Sequence, residues 1–226
     1  MQSFLIPSLT FDDVEPGQPI RIANSKAELG TVAFVFDQVR RCFIAIEKAQ
    51  KPGYEFSSLV ALPGGMCRRT SDAGASDISI DAELRRNVTL RVQAETKMDL
   101  RTSDLRPLPI RDLPITSYTV KGEKKYVVIF PWMTSVESGQ INVAAADHSV
   151  DVAKWQPMNI PWERVSPANR LVIAAACWSY LDEEQRGRAA QHIREAHDFC
   201  KLASHESGLV PGILETQFSK VGDTTL

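Results

Sequence analysis

An α/β fold ending in a C-terminal helical hairpin is predicted by this sequence on three observations. Short β-rich runs separated by polar or glycine turns recur through the first two thirds of the chain. A long stretch of helical periodicity, free of glycine and proline, follows a Pro-Gly-Gly turn. Two helix-start signals, Ser166-Pro167 and Asp182 with Gln185, open the last part.

The elements follow in order. Gly30 to Phe36 and Cys42 to Glu47 are β-rich runs around the polar Asp37-Gln38-Val39-Arg40-Arg41, a hairpin signature. A third run, Phe56 to Leu62, leads into Pro63-Gly64-Gly65, where glycine permits positive φ and close approach of the backbone to a ligand. Met66 to Asp77 is small and polar and reads as a loop. From Ser79 to Lys97, Leu84, Val88 and Val92 recur every four residues with Leu90 and Ala94 beside them, the pattern of an amphipathic helix capped by Ser79. Beyond the proline-rich connector Leu105 to Pro114, Thr116 to Val120 and Tyr126 to Phe130 flank Lys121-Gly122-Glu123-Lys124-Lys125 as a second hairpin. Gln140 to Ala145 and Val150 to Trp155 are further strand candidates.

Ser166-Pro167 places serine at a helix N-cap and proline at the first helical position, for a helix reaching Tyr180. Its residues from Leu171 to Trp178 are apolar on every side, which predicts full burial. Asp182 and Gln185 form an approximate capping box for a second helix to Ser204, with Ile193, Ala196, Cys200 and Ala203 on one stripe. The two helices are expected to pair. The expected organisation is one domain over 1–165, with an N-terminal extension 1–18, and a helical segment 166–226 packed on it.

Composition narrows the partners. The 226 residues are 43% apolar and 24% charged, enough to build a core without disulfides or metal. A formal charge of -2 offers little attraction to phosphate backbones or anionic lipid, so no nucleic acid and no membrane is expected as a partner. The four cysteines, Cys42, Cys67, Cys177 and Cys200, include no C-x-x-C pair and read as reduced thiols. His192, His197 and Cys200 lie at i, i+5 and i+8 of one helix and do not converge as zinc ligands do. Trp155 and Trp162 read as core or turn anchors. No basic signal region stands at the N-terminus, and the apolar run Leu171 to Leu181 is shorter than the ~20 residues of a membrane span. The expected location is cytoplasmic.

Leu62-Pro63-Gly64-Gly65, the helix end Ala94-Glu95-Thr96-Lys97-Met98-Asp99-Leu100 and the later Trp155-Gln156-Pro157-Met158 stand in an order that resembles the Nudix hydrolase superfamily. The resemblance covers Pro19 to Trp178 and implies a Nudix-like α/β/α sandwich around a mixed sheet. In active members the box ends Arg-Glu-x-x-Glu-Glu-x-Gly, whose glutamates at i, i+3 and i+4 share a helical face and hold Mg²⁺ against a pyrophosphate. Aligned on that end, this chain has Leu90 for the arginine, Arg91, Ala94 and Glu95 at the three ligand positions, and Lys97 for the glycine. Counted straight from Gly65, the three positions fall on Ile80, Glu83 and Leu84. Each register keeps one carboxylate, so the box reads as degenerate. Asp72, Asp77 and Asp81 are the other acidic candidates.

The resemblance therefore implies a protein with lost or weak hydrolase activity that binds a nucleotide-type ligand, a nucleoside diphosphate linked to another group, or a protein partner or second copy of itself. An active metal-dependent pyrophosphohydrolase with unusual ligands, in which Mg²⁺ would be the cofactor, is the first alternative. A non-hydrolytic ADP-ribose-type sensor or regulator is the second. From Glu163 onward seven Lys or Arg stand against nine Asp or Glu, which speaks against a C-terminal DNA reader. The candidate site residues are Glu95 as residual catalytic group and Gly64, Gly65, Arg68 and Arg91 as ligand-binding groups, with no metal ligand set. Arg91 and Glu95 read either as an exposed i, i+4 ion pair or as a guanidinium in the volume of the missing metal, able to fork onto phosphate. Arg68 and Arg69 read either as part of that anion site or as solvated loop charges.

Overall fold

The computed structural model describes residues 12, 14–70, 80–110, 113–120, 122–136 and 149–209. Most of the loop expected at Met66 to Asp77, the cap at Ser79 and the strand expected at Gln140 to Ala145 lie outside these residues, as do most of the N-terminal extension and the acidic candidates Asp72 and Asp77.

Among the described residues, eight strands form one mixed sheet. They are β1 (Ala27–Asp37), β2 (Cys42–Lys48), β3 (Val60–Ala61), β4 (Gly64–Met66), β5 (Arg106–Pro107), β6 (Ile115–Val120), β7 (Glu123–Val136) and β8 (Val150–Pro157). The centre is the parallel pair β1 and β7, in register from Ala27 opposite Tyr126 to Asp37 opposite Val136. A parallel pair needs a crossover. Here it includes helix α1 (Ile80–Thr96). Both expected hairpins form: β1 turns into β2 through Asp37, whose Oδ1 accepts from the Val39 and Arg40 amides, and β6 pairs with β7. The seventh strand is longer than the expected Tyr126 to Phe130, because its parallel partner β1 continues to Asp37. The run Phe56 to Leu62 pairs only over Val60–Ala61, a correction to the longer strand expected there.

Alternation along the central strands assigns the two faces. Ala27, Leu29, Ala33 and Val35 of β1, with Val128, Phe130 and Trp132 of β7, pack with Leu84, Val88 and Val92 of α1. Val32, Phe34 and Phe36, with Val127 and Ile129, face α2 (Pro167–Cys177) and α3 (Glu183–Ser207). A strand buried on both faces reads as a continuous apolar run. Gly-Thr-Val-Ala-Phe-Val-Phe is such a run. The result is an α/β/α sandwich.

The helices depart from expectation in three places. Leu90 is 51% exposed and Ala94 is also exposed, so the buried stripe of α1 is narrower than the sequence suggests. In α2, Leu171 to Ala174 and Cys177 are buried but Ala175 is exposed: small alanines let one side of an apolar helix meet solvent at little cost. Ser166 occupies the N-cap without a capping hydrogen bond from its side chain, and its Oγ instead accepts from Asn169 Nδ2 at 2.7 Å. By contrast Asp182 and Gln185 complete a full capping box at the start of α3, which ends on Gly208 in the left-handed conformation.

Burial of the thiols carries a pH dependence. Burial raises the Cys177 thiol to about 12 and Cys200 to about 11 from an ordinary 9.0, and pushes Cys67 up as well. A group whose pKa is raised on folding contributes stability that is full below its unfolded value and is lost as pH rises through the folded one. The unfolding free energy should therefore fall above about pH 9, by on the order of 1 kcal/mol per pH unit for each thiol. Urea unfolding across that range checks this, and Cys177→Ala should make the decline shallower. A stability unchanged up to about pH 11 would contradict it.

Candidate functional site

The site lies where the first hairpin opens. β1 and β2 pair only at Phe36 with Phe43 and Asp37 with Cys42, then diverge; further along, β1 takes β4 as its neighbour and β2 takes β3. The segment 60–66 thus bridges the gap between the two strands. It is held there by polar contacts: Leu62 N–H donates to Asn169 Oδ1 at 2.9 Å, Ser166 N–H to the Val60 carbonyl at 3.0 Å, and Ala33 N–H to the Pro63 carbonyl at 3.0 Å. A cavity of about 280 Å³ remains above it.

Helix α1 presents a polar stripe to this loop. Glu83, Asn87, Arg91 and Glu95 recur every four residues beside the buried Leu84, Val88 and Val92. Asn87 holds the chain after the glycines, accepting from the Arg68 amide at 2.9 Å and donating to the Arg68 carbonyl at 3.0 Å. The Arg91 guanidinium lies over Gly65: a Cβ built on that glycine would sit 3.4 Å from Arg91 Nε. Glu95 is 1% exposed. Its Oε2 accepts from Gly64 N–H at 2.8 Å and its Oε1 from Lys48 Nζ at 2.9 Å.

Of the residues singled out in the sequence, Gly64, Gly65, Arg91 and Glu95 come together on the cavity. Arg68 does not line it. Its side chain is exposed and donates to the Gly17 carbonyl at 2.7 Å, which ties the N-terminal segment to the loop rather than facing a ligand. Nor is Glu95 paired with Arg91 as an i, i+4 ion pair: its cation is Lys48, from the end of β2. In the other register, Glu83 is buried and accepts from Thr70 Oγ1, Leu84 is in the core, and neither lines the cavity. Asp81 pairs with Arg85 at 2.7 Å.

Among the lining residues that sequence reasoning missed are Lys48, Tyr54, Phe56 and Tyr118. The three aromatic rings form one wall, with Tyr54 edge-on to Phe56 at 5.8 Å and to Tyr118 at 6.4 Å between centroids. Tyr118 Oη donates to Met66 Sδ at 3.1 Å, and burial, Glu28 and Tyr54 push its hydroxyl up to about 12, so it remains a neutral donor at ordinary pH. Burial, then the charge of Glu95, also raises Tyr54. The available signal was Tyr54-Glu55-Phe56 after Pro52-Gly53, aromatics next to a turn where they have little core to fill.

The charges lining the cavity are Lys48, Arg91 and Glu95, a net positive set in a chain whose formal charge is -2. An adjoining groove of about 400 Å³ shares Lys48 and Tyr54 and adds Lys51. The family resemblance implies a divalent ion here, and these residues do not fit one. Both oxygens of Glu95 already accept hydrogen bonds, one from an ammonium. The two other box positions carry a guanidinium and an exposed methyl group, and among the described residues no group of three or more His, Cys, Asp or Glu is placed to hold a metal ion. Nor is any helix among those residues long and apolar enough to cross a membrane.

No family model and no curated protein sequence matches the chain. Solved structures do. They include the Nudix domain of Shewanella oneidensis NrtR complexed with ADP ribose, at 15% identity and a TM-score of 0.45 over 69% of this chain and 88% of that one. The E. coli dihydroneopterin triphosphate pyrophosphohydrolase is similar at 9% identity and a TM-score of 0.46, over 71% and 96% of the two chains. A bifunctional NMN adenylyltransferase/ADP ribose pyrophosphatase from Francisella tularensis, complexed with AMP and a manganese ion, matches at 14% identity and a TM-score of 0.43 over 67% of this chain, which spans only 41% of that protein's length. At TM-scores below 0.5 these likenesses are partial; the chain's own mixed sheet, glycine loop and following helix make the α/β/α sandwich that the sequence resemblance led one to expect.

Proposed function

We propose that the chain binds a nucleotide-type ligand, a nucleoside diphosphate linked to a further group, in the cavity between β1, the glycine loop and α1, and that it has lost efficient hydrolysis. The observation that carries this reading is the division of the cavity wall. Tyr54, Phe56 and Tyr118 offer an apolar aromatic wall, any one ring of which can take a base against its face, a contact worth about 1–3 kcal/mol per stacked base. Arg91 offers a planar guanidinium fork suited to phosphate oxygens, beside the Lys48 ammonium. Aromatic and cationic groups on one small cavity are the complementary halves of such a ligand.

Loss of hydrolysis rests on the donor set. Activation of water by a metal requires hard oxygen ligands around an open position. Glu95 is the one carboxylate at the box positions, and its charge is already balanced by Lys48.

The test joins two measurements on the full chain. A thermal-shift screen should find a nucleoside diphosphate derivative that stabilises it, by ~2.7 kcal/mol at a hundred times the dissociation constant. The same compound should show little or no Mg²⁺-dependent release of products. Robust turnover abolished by EDTA and by Glu95→Gln would restore the active-hydrolase reading, and no response across a nucleotide panel would remove the ligand assignment.

A further inference from the structure

Resting on that assignment of the cavity, we propose that Lys48 takes the position of a divalent cation, so that the cavity binds a diphosphate group without any metal ion. Lys48 is the last residue of β2, opposite Val150 of β8 just past a register shift, and its backbone is tied on the other side by donation to the Leu59 carbonyl and acceptance from Ser58 N–H, both at 3.0 Å, so its Cα is held from two sides at the sheet's end. Its ammonium reaches Glu95 at 2.9 Å with the side chain 17% exposed, while the carboxylate is 2% exposed. An ammonium carries three protons, and only one is directed at Glu95. The others remain for a ligand in the cavity that Lys48 lines.

Balance of charge leads to the same conclusion. Glu95 cancels one cation, and Arg91 remains, with no hydrogen-bond partner among the described residues. A bound diphosphate would bring its negative charge to a site that already holds a surplus cation over Gly65, with Lys51 in the adjoining groove. A divalent ion entering the same space would meet two fixed positive charges and one carboxylate whose oxygens are both engaged. At separations of a few ångströms, in a partly buried site, the like-charge repulsion outweighs what a single carboxylate offers.

The experiment is calorimetric titration of inorganic pyrophosphate into the full chain, once with EDTA and once with Mg²⁺. The expected dissociation constant is the same in both once pyrophosphate bound to Mg²⁺ in solution is accounted for. Lys48→Met should weaken it by about tenfold to a hundredfold, the loss of a charge-assisted hydrogen bond. Removing one member of a buried pair can prevent folding, so Lys48→Met/Glu95→Gln is made alongside. The double variant leaves an acceptor for Gly64 N–H and restores the cavity's net charge without the Lys48 donors, so it should still bind pyrophosphate more weakly than the parent. Binding that requires Mg²⁺, no binding by the folded parent, or parental affinity in the double variant would each overturn the proposal. Metal-dependent binding of a nucleotide would overturn it while leaving the nucleotide assignment standing; metal-free pyrophosphate binding with no nucleotide bound would do the reverse.

Discussion

A chain ending after Ser166 should not fold cooperatively: it should be insoluble, or soluble without a sigmoidal unfolding transition. The helices removed are not an accessory to the sheet. Leu171, Val172, Ile173, Ala174 and Cys177 of α2, Leu181, and Ala189, Ala196 and Cys200 of α3 belong to the same buried cluster as Phe34, Phe36 and Phe43. Burying one Leu, Ile or Val contributes about 1.5–3 kcal/mol. The four such residues in this set therefore represent on the order of the whole net stability of a domain, about 5–15 kcal/mol. Truncation would also expose the apolar sheet face to water and leave Leu62 N–H without Asn169 Oδ1, loosening the segment that floors the cavity. Circular dichroism and chemical unfolding of the fragment 1–166 decide the matter. A soluble fragment with a cooperative transition would show that the helical pair is independent of the sheet.

The pairing of those helices was legible because it is written locally, in Ser166-Pro167, in Asp182 with Gln185, and in an alanine- and cysteine-bearing stripe. The same is true of the first hairpin, whose two β-rich apolar runs flank a polar turn, and of α1, where a period of 3.6 survives in the sequence. The cavity was only half legible. Gly64, Gly65, Arg91 and Glu95 sit in a motif and could be read from it, whereas Lys48 meets Glu95 across 47 residues and Tyr118 joins Tyr54 across the opening of the hairpin. No periodicity encodes contacts of that kind. Arg68 stands apart from the cavity residues: it comes just after the glycines in the sequence, and the backbone pairing of Pro19 with Arg68 brings the Gly17 carbonyl within reach of its side chain. Leu90 appeared to belong to the apolar face of α1, yet it falls outside the narrow stripe defined by Leu84, Val88 and Val92.

Gly64→Ala should destabilise the protein by roughly 3 kcal/mol or more, while Gly65→Ala, one residue on, should cost about 1 kcal/mol or less. The two glycines look equivalent in the sequence and are not. Gly64 has φ +150°, a conformation that L side chains rarely adopt, and it pairs directly with Val32 of β1. A Cβ there would run into the Thr31 carbonyl oxygen and come within 2.7 Å of Val32 Cα. Both are backbone atoms of the central strand, which is locked along its full length to β7, so neither can move aside cheaply. If the loop shifted instead, Gly64 N–H would leave Glu95, and a carboxylate that is 1% exposed would lose one of its two partners. At Gly65 the nearest obstacle is Arg91 Nε at 3.4 Å, the far part of a flexible side chain that can swing by a few tenths of an ångström. The same swing displaces the guanidinium proposed to hold phosphate, so Gly65→Ala should weaken pyrophosphate binding more than it weakens folding. Urea unfolding of the two variants beside pyrophosphate titration of Gly65→Ala measures both effects. Equal stability losses at the two positions would mean that the loop does not approach β1 as closely as these distances require, and unchanged affinity in Gly65→Ala would separate Arg91 from the ligand.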